Sequence, residues 1–366
     1  MKTPKTPSSN GSAGFTLIEL LVGSSIMLIA VLGALFIYAR SNKVSVEQQM
    51  VTEVQNDVRA SMFFLTRDLR MAGAGLPEEF AGYFIEGQDN EDQGAEVDPD
   101  RVLFMGNLED PLNLPIQNYQ GSSVTLDIED FSFEQYSYPD SFYAQKFVII
   151  LPNPESGCRS AEVREVTHVT HNTGGATEKF NFSPGLAPGI DPPGGLSGTC
   201  ASPNDYDGGT ISFINVKEYW LDVDGNYPGL TAGVNGYIGG GEGGVLYVTH
   251  NGIHLPLARN IENFQVEYNG DMNNDLNLDG WTPWQNAWTL DQIARIQHVR
   301  TWVLGRTAQA FTSVGGTAPG AIQVYRRPAI SNSPAAAADD RHKRYLLDST
   351  SNVRNMSLNL YNLGQR

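Results

Sequence analysis

The sequence predicts an α+β protein in which a long N-terminal helix packs on a large antiparallel β-sheet domain with long loops. An apolar run near the N-terminus continues into a polar segment with helical spacing, and no proline interrupts residues 15–76. Glycine and proline, 38 and 20 in number, concentrate after Gly75, which is typical of many turns and short strands. The 15 tyrosines and 16 phenylalanines also favour a sheet protein.

The apolar run extends from Phe15 to Ala39 and contains a single charged side chain, Glu19. As a helix it would be about 37 Å long, which is enough to cross a bilayer. A cleaved secretory signal has a shorter apolar run followed by a small-residue cleavage site, and Tyr38-Ala39-Arg40-Ser41 is a poor match to such a site. A plain membrane anchor leaves Glu19 unexplained, because a carboxylate within an apolar span is costly and by default functional.

The residues Gly14-Phe15-Thr16-Leu17-Ile18-Glu19 resemble the processing motif of type IV pilins and of type II secretion pseudopilins. The resemblance implies that a prepilin peptidase cleaves between Gly14 and Phe15 and that the new terminus of Phe15 is N-methylated. Glu19 then becomes the fifth residue of the mature chain. Its carboxylate needs a partner in apolar surroundings, and the amine of Phe15 in a neighbouring subunit would supply one and set the axial register.

The interpretation divides the chain into four parts. Residues 1–14 are a leader peptide, residues 15–39 a transmembrane and filament-core helix, residues 40–76 its amphipathic continuation, and residues 77–366 an extracytoplasmic β-rich domain of the pilin-like type.

Apolar residues at three- and four-residue steps predict that the helix continues beyond the membrane. They are Val51, Val54, Val58, Met62, Leu65 and Leu69. Pro77, behind Gly73-Ala74-Gly75, supplies the stop. We therefore expect one helix from about Thr16 to about Met71, with its apolar stripe on the globular domain.

Short runs of β-favouring residues between turn residues predict ten strands. They are Val102–Met105, Ser123–Ile128, Lys146–Leu151, Glu162–Val169, Thr210–Asp222, Gly244–His250, Ile253–Leu257, Phe264–Tyr268, Arg295–Leu304 and Ala321–Tyr325. Asn251-Gly252 predicts a hairpin turn, across which we expect His250 and His254 to face each other. Segments rich in Gly, Pro, Ser and Asn are expected to be long surface loops, at roughly 171–209, 224–244 and 312–340.

Further segments resemble one branch of the pilin-like proteins. Phe64–Gly73 is similar to the helix end of PilW-type minor pilins and of the related J-type pseudopilins. Ala258–Tyr268 and Arg295–Thr307 are similar to strands of the same branch, and Arg341–Asn355 is similar to its closing segment.

Cys158 and Cys200 are the two cysteines of the chain. In an exported protein we expect them to form one disulfide that closes a loop of roughly forty residues, stabilising the fold by about 3–4 kcal/mol. The alternative is a pair of unrelated free thiols.

An acidic turn offers the oxygen ligands of a calcium site, with side chains at two-residue spacing. The candidate ligands are Asp271, Asn273, Asp275, Asn277 and Asp279. Gly280 occupies the position of the glycine in a calcium loop, but the twelfth loop position holds Asn286 and not a bidentate glutamate. An Asx-rich turn without metal is the alternative. No cofactor is required, and calcium is the one candidate.

The formal charge of −17 argues against nucleic-acid binding, because phosphate contacts need a basic patch. No motif of an enzyme active site occurs, so we expect no catalytic residues.

The resemblance implies a single-pass inner-membrane protein with a periplasmic domain that later reaches the pilus and the cell surface. It also implies three kinds of partner: other major and minor pilins, the prepilin peptidase and the inner-membrane assembly platform. We therefore expect a minor pilin that helps initiate or cap a type IV pilus. A type II secretion pseudopilin and a tip adhesin are the alternatives.

Overall fold

The structure of the chain is a computed structural model. The described residues are 15–76, 78–90, 99–107, 113–119, 125–129, 143, 146–158, 161–171, 177–182, 200, 203–225, 227, 229–239, 243–311 and 324–353. Gly14 and the rest of the leader lie outside them, so the division of the chain at Gly14 stays a prediction.

Two α-helices and thirteen strands form within the described residues. The helices are α1 (Leu17–Leu69) and α2 (Leu290–Ala294). The strands are β1 (Ile85–Gln88), β2 (Arg101–Gly106), β3 (Asn113–Tyr119), β4 (Thr125–Glu129), β5 (Phe147–Leu151), β6 (Glu162–His171), β7 (Thr177–Phe182), β8 (Thr210–Asp222), β9 (Val245–His250), β10 (Ile253–Arg259), β11 (Ile261–Gly270), β12 (Ile296–Arg306) and β13 (Arg344–Asn352).

The long helix begins and ends where the sequence provides caps. Thr16 is the N-cap of α1, and its hydroxyl accepts a hydrogen bond from the backbone N–H of Glu19. Beyond Leu69 the chain turns through Gly73 and Gly75, both at φ +72°, a conformation that favours glycine. The expected helix from about Thr16 to about Met71 is confirmed to within two residues at its C-terminal end.

Strand β8 organises the larger, ten-stranded sheet. Its first half pairs with β3 and β5, and its second half pairs with β2 and β9. The antiparallel pairings run from β8 through β3, β4, β7, β6 and β5 and return to β8, so six strands close a ring. Inside the ring lies a separate apolar core that includes Val148, Ile150, Phe180 and Phe213.

The second half of α1 packs on both sheets. Its buried residues are Glu47, Val54, Val58, Ser61, Met62, Leu65, Asp68 and Leu69. They share the main apolar core with residues of β2, β8 and the second sheet, whose strand order is β11-β12-β13. The predicted α+β arrangement, a long helix on a large antiparallel sheet, is confirmed.

The hairpin predicted at Asn251-Gly252 connects β9 and β10. The predicted pairing of two histidines across it is wrong, because a two-residue turn places His250 opposite Ile253. His254 instead lies opposite Thr249, and their side chains are 2.8 Å apart.

Other sequence expectations need correction. Of the predicted strand Ala321–Tyr325, only Val324 and Tyr325 are described, and Tyr325 alone forms an isolated bridge, to Asp340. The nearby Pro328 has no N–H for a ladder. Strand β7 lies within the predicted loop 171–209. Three further strands were also not predicted, namely β1, β3 and β13.

Candidate functional site

The candidate site is the start of α1, where Phe15 and Glu19 lie. Phe15 is 88 % exposed, and the helix begins two residues after it. The carboxylate oxygen Oε2 of Glu19 accepts hydrogen bonds from the backbone N–H of Thr16 at 3.0 Å and from its hydroxyl at 2.9 Å. The hydroxyl of Thr16 accepts from the backbone N–H of Glu19 in return, which completes a capping box.

This capping box gives Glu19 a partner within its own chain. Both hydrogen bonds use Oε2, and Oε1 accepts none from the described residues. Oε1 is therefore available to a donor from another subunit. The expected pairing with the amine of Phe15 in a neighbouring subunit stays a prediction, and its geometry requires that the amine approach Oε1.

The first half of α1 presents its apolar side chains to the surroundings. All described residues from Phe15 to Val46 are exposed, and they include Phe36 and Ile37, each 69 % exposed. Exposure of this surface to water would be unfavourable, since full burial of each large apolar side chain stabilises by about 1.5–3 kcal/mol. Among the described helices this one is long and apolar enough to cross a membrane.

The two halves of α1 thus have different environments. Every buried helix residue lies at or beyond Glu47, where the helix meets the sheets. The first half extends away from the core and matches a membrane-anchored, single-pass protein.

Asp68 holds the C-terminal end of α1 against the larger sheet, and it was not among the residues predicted from the sequence. Asp68 is 2 % exposed, and its Oδ2 accepts hydrogen bonds from Lys217 Nζ and Tyr219 Oη, each at 2.8 Å. Arg67 contacts the other oxygen at 2.7 Å. These contacts connect the end of α1 to β8, so the helix projects from the sheet in a fixed direction. No sequence signal pairs Asp68 with residues about 150 positions away.

Thr16 was also missed as a functional residue, although a signal was present. The pattern Thr16-x-x-Glu19 before an apolar run is the sequence form of a capping box.

Cys158 and Cys200 form a disulfide, with their Cα atoms 5.7 Å apart. The bridge lies against the apolar core inside the six-stranded ring. Export to an oxidising compartment, which the disulfide requires for persistence, agrees with the membrane anchor.

The acidic turn is held by its own hydrogen bonds. Both oxygens of the buried Asp271 accept backbone N–H groups, from Asp275 and Leu276, at 2.9 Å each. Oδ2 of Asp279 accepts the N–H of Met272 at 2.6 Å, and its Oδ1 accepts Asn273 Nδ2 at 2.7 Å. These bonds are those of an Asx-rich turn.

The remaining candidate ligands of that turn belong to the same network. Asn273 Oδ1 accepts the N–H of Asp275, and Asp275 Oδ1 accepts the N–H of Asn277. Within the described residues, one group of three His, Cys, Asp or Glu side chains is close enough to hold a metal, namely Cys158, Cys200 and Asp205, and the two cysteine sulfurs are joined in the disulfide. Calcium binding by the turn stays a prediction.

Comparison with known proteins agrees with the geometry at the start of α1. Residues 9–35 match the family model of the prokaryotic N-terminal methylation motif. The chain carries the N-terminal signal of type IV pilin-like proteins. That motif marks structural subunits, which are not typically enzymes. No curated protein and no solved structure matches the chain at a significant level.

Proposed function

We propose that this chain is a minor pilin subunit of a type IV pilus, processed by the prepilin peptidase, and that it helps initiate or cap filament assembly. The observation that carries the proposal is the exposed apolar first half of α1, most of which lies within the match to the methylation motif. A helix of this length with one exposed apolar surface all around suits the lipid bilayer first and the centre of a helical filament afterwards.

Glu19 offers a polar contact that would favour transfer of the helix from lipid to the filament. Apolar packing changes little between lipid and a bundle of apolar helices, so polar contacts and close packing decide association in a membrane. The free Oε1 of Glu19 offers such a contact to a donor of a neighbouring subunit. A second pilin helix would therefore dock where its terminal amine reaches this oxygen.

The position at a filament end is supported by the globular domain. It contains two sheets and a closed ring of six strands, and α1 contacts it only from Glu47 onward. A bulky domain is accommodated most readily where neighbours lie on one side only. The similarity of Phe64–Gly73 and of the C-terminal strands to PilW-type minor pilins supports the same role.

The proposal includes the partners and the location. The chain would sit in the inner membrane with its domain in the periplasm, meet the prepilin peptidase and the assembly platform, and then join other pilins at the cell surface. A type II secretion pseudopilin would have the same apolar helix and processing motif, but it would assemble in a secretion system and not in a pilus.

A comparison of Glu19→Ala with Glu53→Ala tests the proposal. Glu53 lies on the second half of the same helix and accepts a hydrogen bond only from Gln49 among the described residues, so its loss is a matched control. We expect Glu19→Ala to reduce the amount of this chain in sheared pilus fractions by tenfold or more, while its amount in the membrane stays unchanged. Glu53→Ala should behave as wild type.

Equal recovery of both variants in sheared pili would contradict the proposal. Normal pili in a strain lacking the chain, together with lost secretion through a type II system, would favour the pseudopilin instead.

A further inference from the structure

A cavity of about 330 Å³ lies beside the second sheet, on the side away from α1. On β12, Val303 belongs to the core under α1, whereas Trp302 and Leu304 pack with Ile330 on the opposite face. Arg306 follows Leu304 by two residues and therefore shares that opposite face. The chain segment 324–343 covers this face and forms one wall of the cavity.

The covering segment is folded back on itself by backbone hydrogen bonds. Tyr325 and Asp340 exchange two bonds of 2.7 Å, and the N–H of Ala336 donates to the carbonyl of Arg327 at 3.2 Å. The segment was expected to be a surface loop, yet Arg327 and Ser333 within it are 3 % exposed. It therefore forms a built wall with a fixed set of side chains.

Three arginines line the cavity, although the chain as a whole is strongly acidic. Arg344 donates to Glu262 Oε1 at 2.9 Å and to Asp340 Oδ1 at 2.8 Å, so its charge is balanced. Arg306 lies directly opposite Arg344 in the β12–β13 pair. Like charges in directly opposite positions are unfavourable unless an anion lies between or beside them.

Within the described part of the chain, no carboxylate balances the charge of Arg306 or of Arg327. No carboxylate of the described residues lies within 4.0 Å of either guanidinium. Arg327 makes one side-chain hydrogen bond, from Nη1 to Ser333 Oγ at 3.3 Å, although a guanidinium has five donors. A cation buried to this degree without an anionic partner is unfavourable.

We propose that this cavity binds a small carboxylic acid with a single negative charge and an apolar body. The planar fork of an arginine matches the two oxygens of a carboxylate, and Arg306 and Arg327 both have donors to offer. Val223 and Ala336–Ala338 supply apolar walls for the rest of the ligand. Glu262, Asp339 and Asp340 border the same space and would repel a ligand of higher negative charge.

The dimensions of the cavity agree with a small ligand. Its volume is at the lower end of the range for ligand sites. Ala337, Ala338 and Asp339 are exposed at its edge, so the cavity opens to solvent beside them. This inference is independent of the filament role, because it uses neither the exposed half of α1 nor the methylation motif.

The test is isothermal titration calorimetry, in which benzoate is titrated into the full chain in detergent micelles. Benzamide has the same shape without the charge, and sulfate has a higher charge without the apolar body. Arg306→Gln and Arg327→Gln remove the two unbalanced cations. Arg300→Gln is the matched control, because Arg300 pairs with Asp348 and neither residue lines the cavity.

We expect saturable binding of benzoate that weakens tenfold or more in Arg306→Gln and stays within twofold of wild type in Arg300→Gln. Arg327→Gln should weaken benzoate binding as Arg306→Gln does. If Arg327→Gln does not fold, the affinity of Arg306→Gln still tests the proposal, because Arg306 is partly exposed. Benzamide and sulfate should bind at least tenfold more weakly than benzoate. Absence of benzoate binding, equal affinities in Arg306→Gln and Arg300→Gln, or tighter binding of benzamide or sulfate would overturn the proposal.

Discussion

Asp100 connects the two sheets through its backbone and side chain. Its N–H donates to the carbonyl of Phe264 at 2.9 Å, and its Oδ2 accepts the N–H of Val266 at 2.6 Å. Asn90 donates its N–H to the other oxygen at 3.0 Å. Burial raises the pKa of Asp100 to about 7, against the lowering effect of these two N–H donors.

The raised pKa predicts how stability changes with pH. The folded chain keeps a proton on Asp100 that the unfolded chain releases, so this residue favours the folded state fully below pH about 4. The contribution is lost as pH rises to about 7, and its size is on the order of 4 kcal/mol.

Thermal unfolding of wild type and Asp100→Asn at pH 4.5 and pH 7.5 measures this effect. Wild type should lose stability relative to the variant between the two values, since the amide cannot titrate. A difference between the two proteins that is constant or that moves in the other direction would contradict the assignment.

At the scale of elements, the docking of α1 depends on a glycine in β12. A Cβ atom at Gly305 would lie 2.7 Å from Val54 Cγ1 and 2.7 Å from Val58 Cγ2. Valine side chains in a helix have one strongly preferred rotamer, so they cannot move aside readily. Gly305 is therefore what permits the close approach of helix and sheet.

We expect Gly305→Ala to destabilise the domain by about 1–3 kcal/mol through overpacking. Val58→Ala should relieve part of the clash, so the double variant should be more stable than the sum of the two single changes predicts. Denaturant unfolding of the three variants provides the comparison. If the changes in the free energy of unfolding are strictly additive, Val58 does not contact the side chain added at residue 305.

The acidic turn before α2 is the element for which calcium was predicted. Sites of this ligand type in extracellular modules bind calcium at about 0.1–1 mM. We expect 5 mM calcium to raise the thermal midpoint of wild type and to leave that of Asp275→Ala unchanged. Asp348→Asn, which removes an exposed partner of Arg300, is the control that should respond as wild type does. Equal midpoints with and without calcium in wild type would exclude the site.

The elements were predictable to different degrees for physical reasons. The period of the apolar residues and the absence of proline were enough for α1, because helix contacts are local. Strand β8 was predicted with its bounds, whereas β3, which contains Pro115, and β7, with its polar sequence, form through pairing with distant strands. The closed ring and the three arginines around the cavity depend on such pairings, which a single sequence does not specify.

At the scale of the whole molecule, the chain has two parts with separate tasks. The segment from Phe15 to Val46 is exposed along its whole length and suits an apolar medium, and every buried residue among those described lies at or beyond Glu47. Asp68 and Gly305 lie where the second half of α1 packs on the sheets. The methylation motif could be recognised from the sequence because it is contiguous, whereas the proposed filament partners are outside the chain.

The central claim is that the chain enters the pilin pathway by cleavage at Gly14. The most direct measurement is the intact mass and N-terminal sequence of the protein from cells with an active prepilin peptidase, beside the variant Gly14→Val. We expect a wild-type chain that starts at N-methylated Phe15 and a variant that keeps Met1, because a bulky side chain blocks the peptidase. A wild-type chain that keeps Met1 in those cells would contradict it.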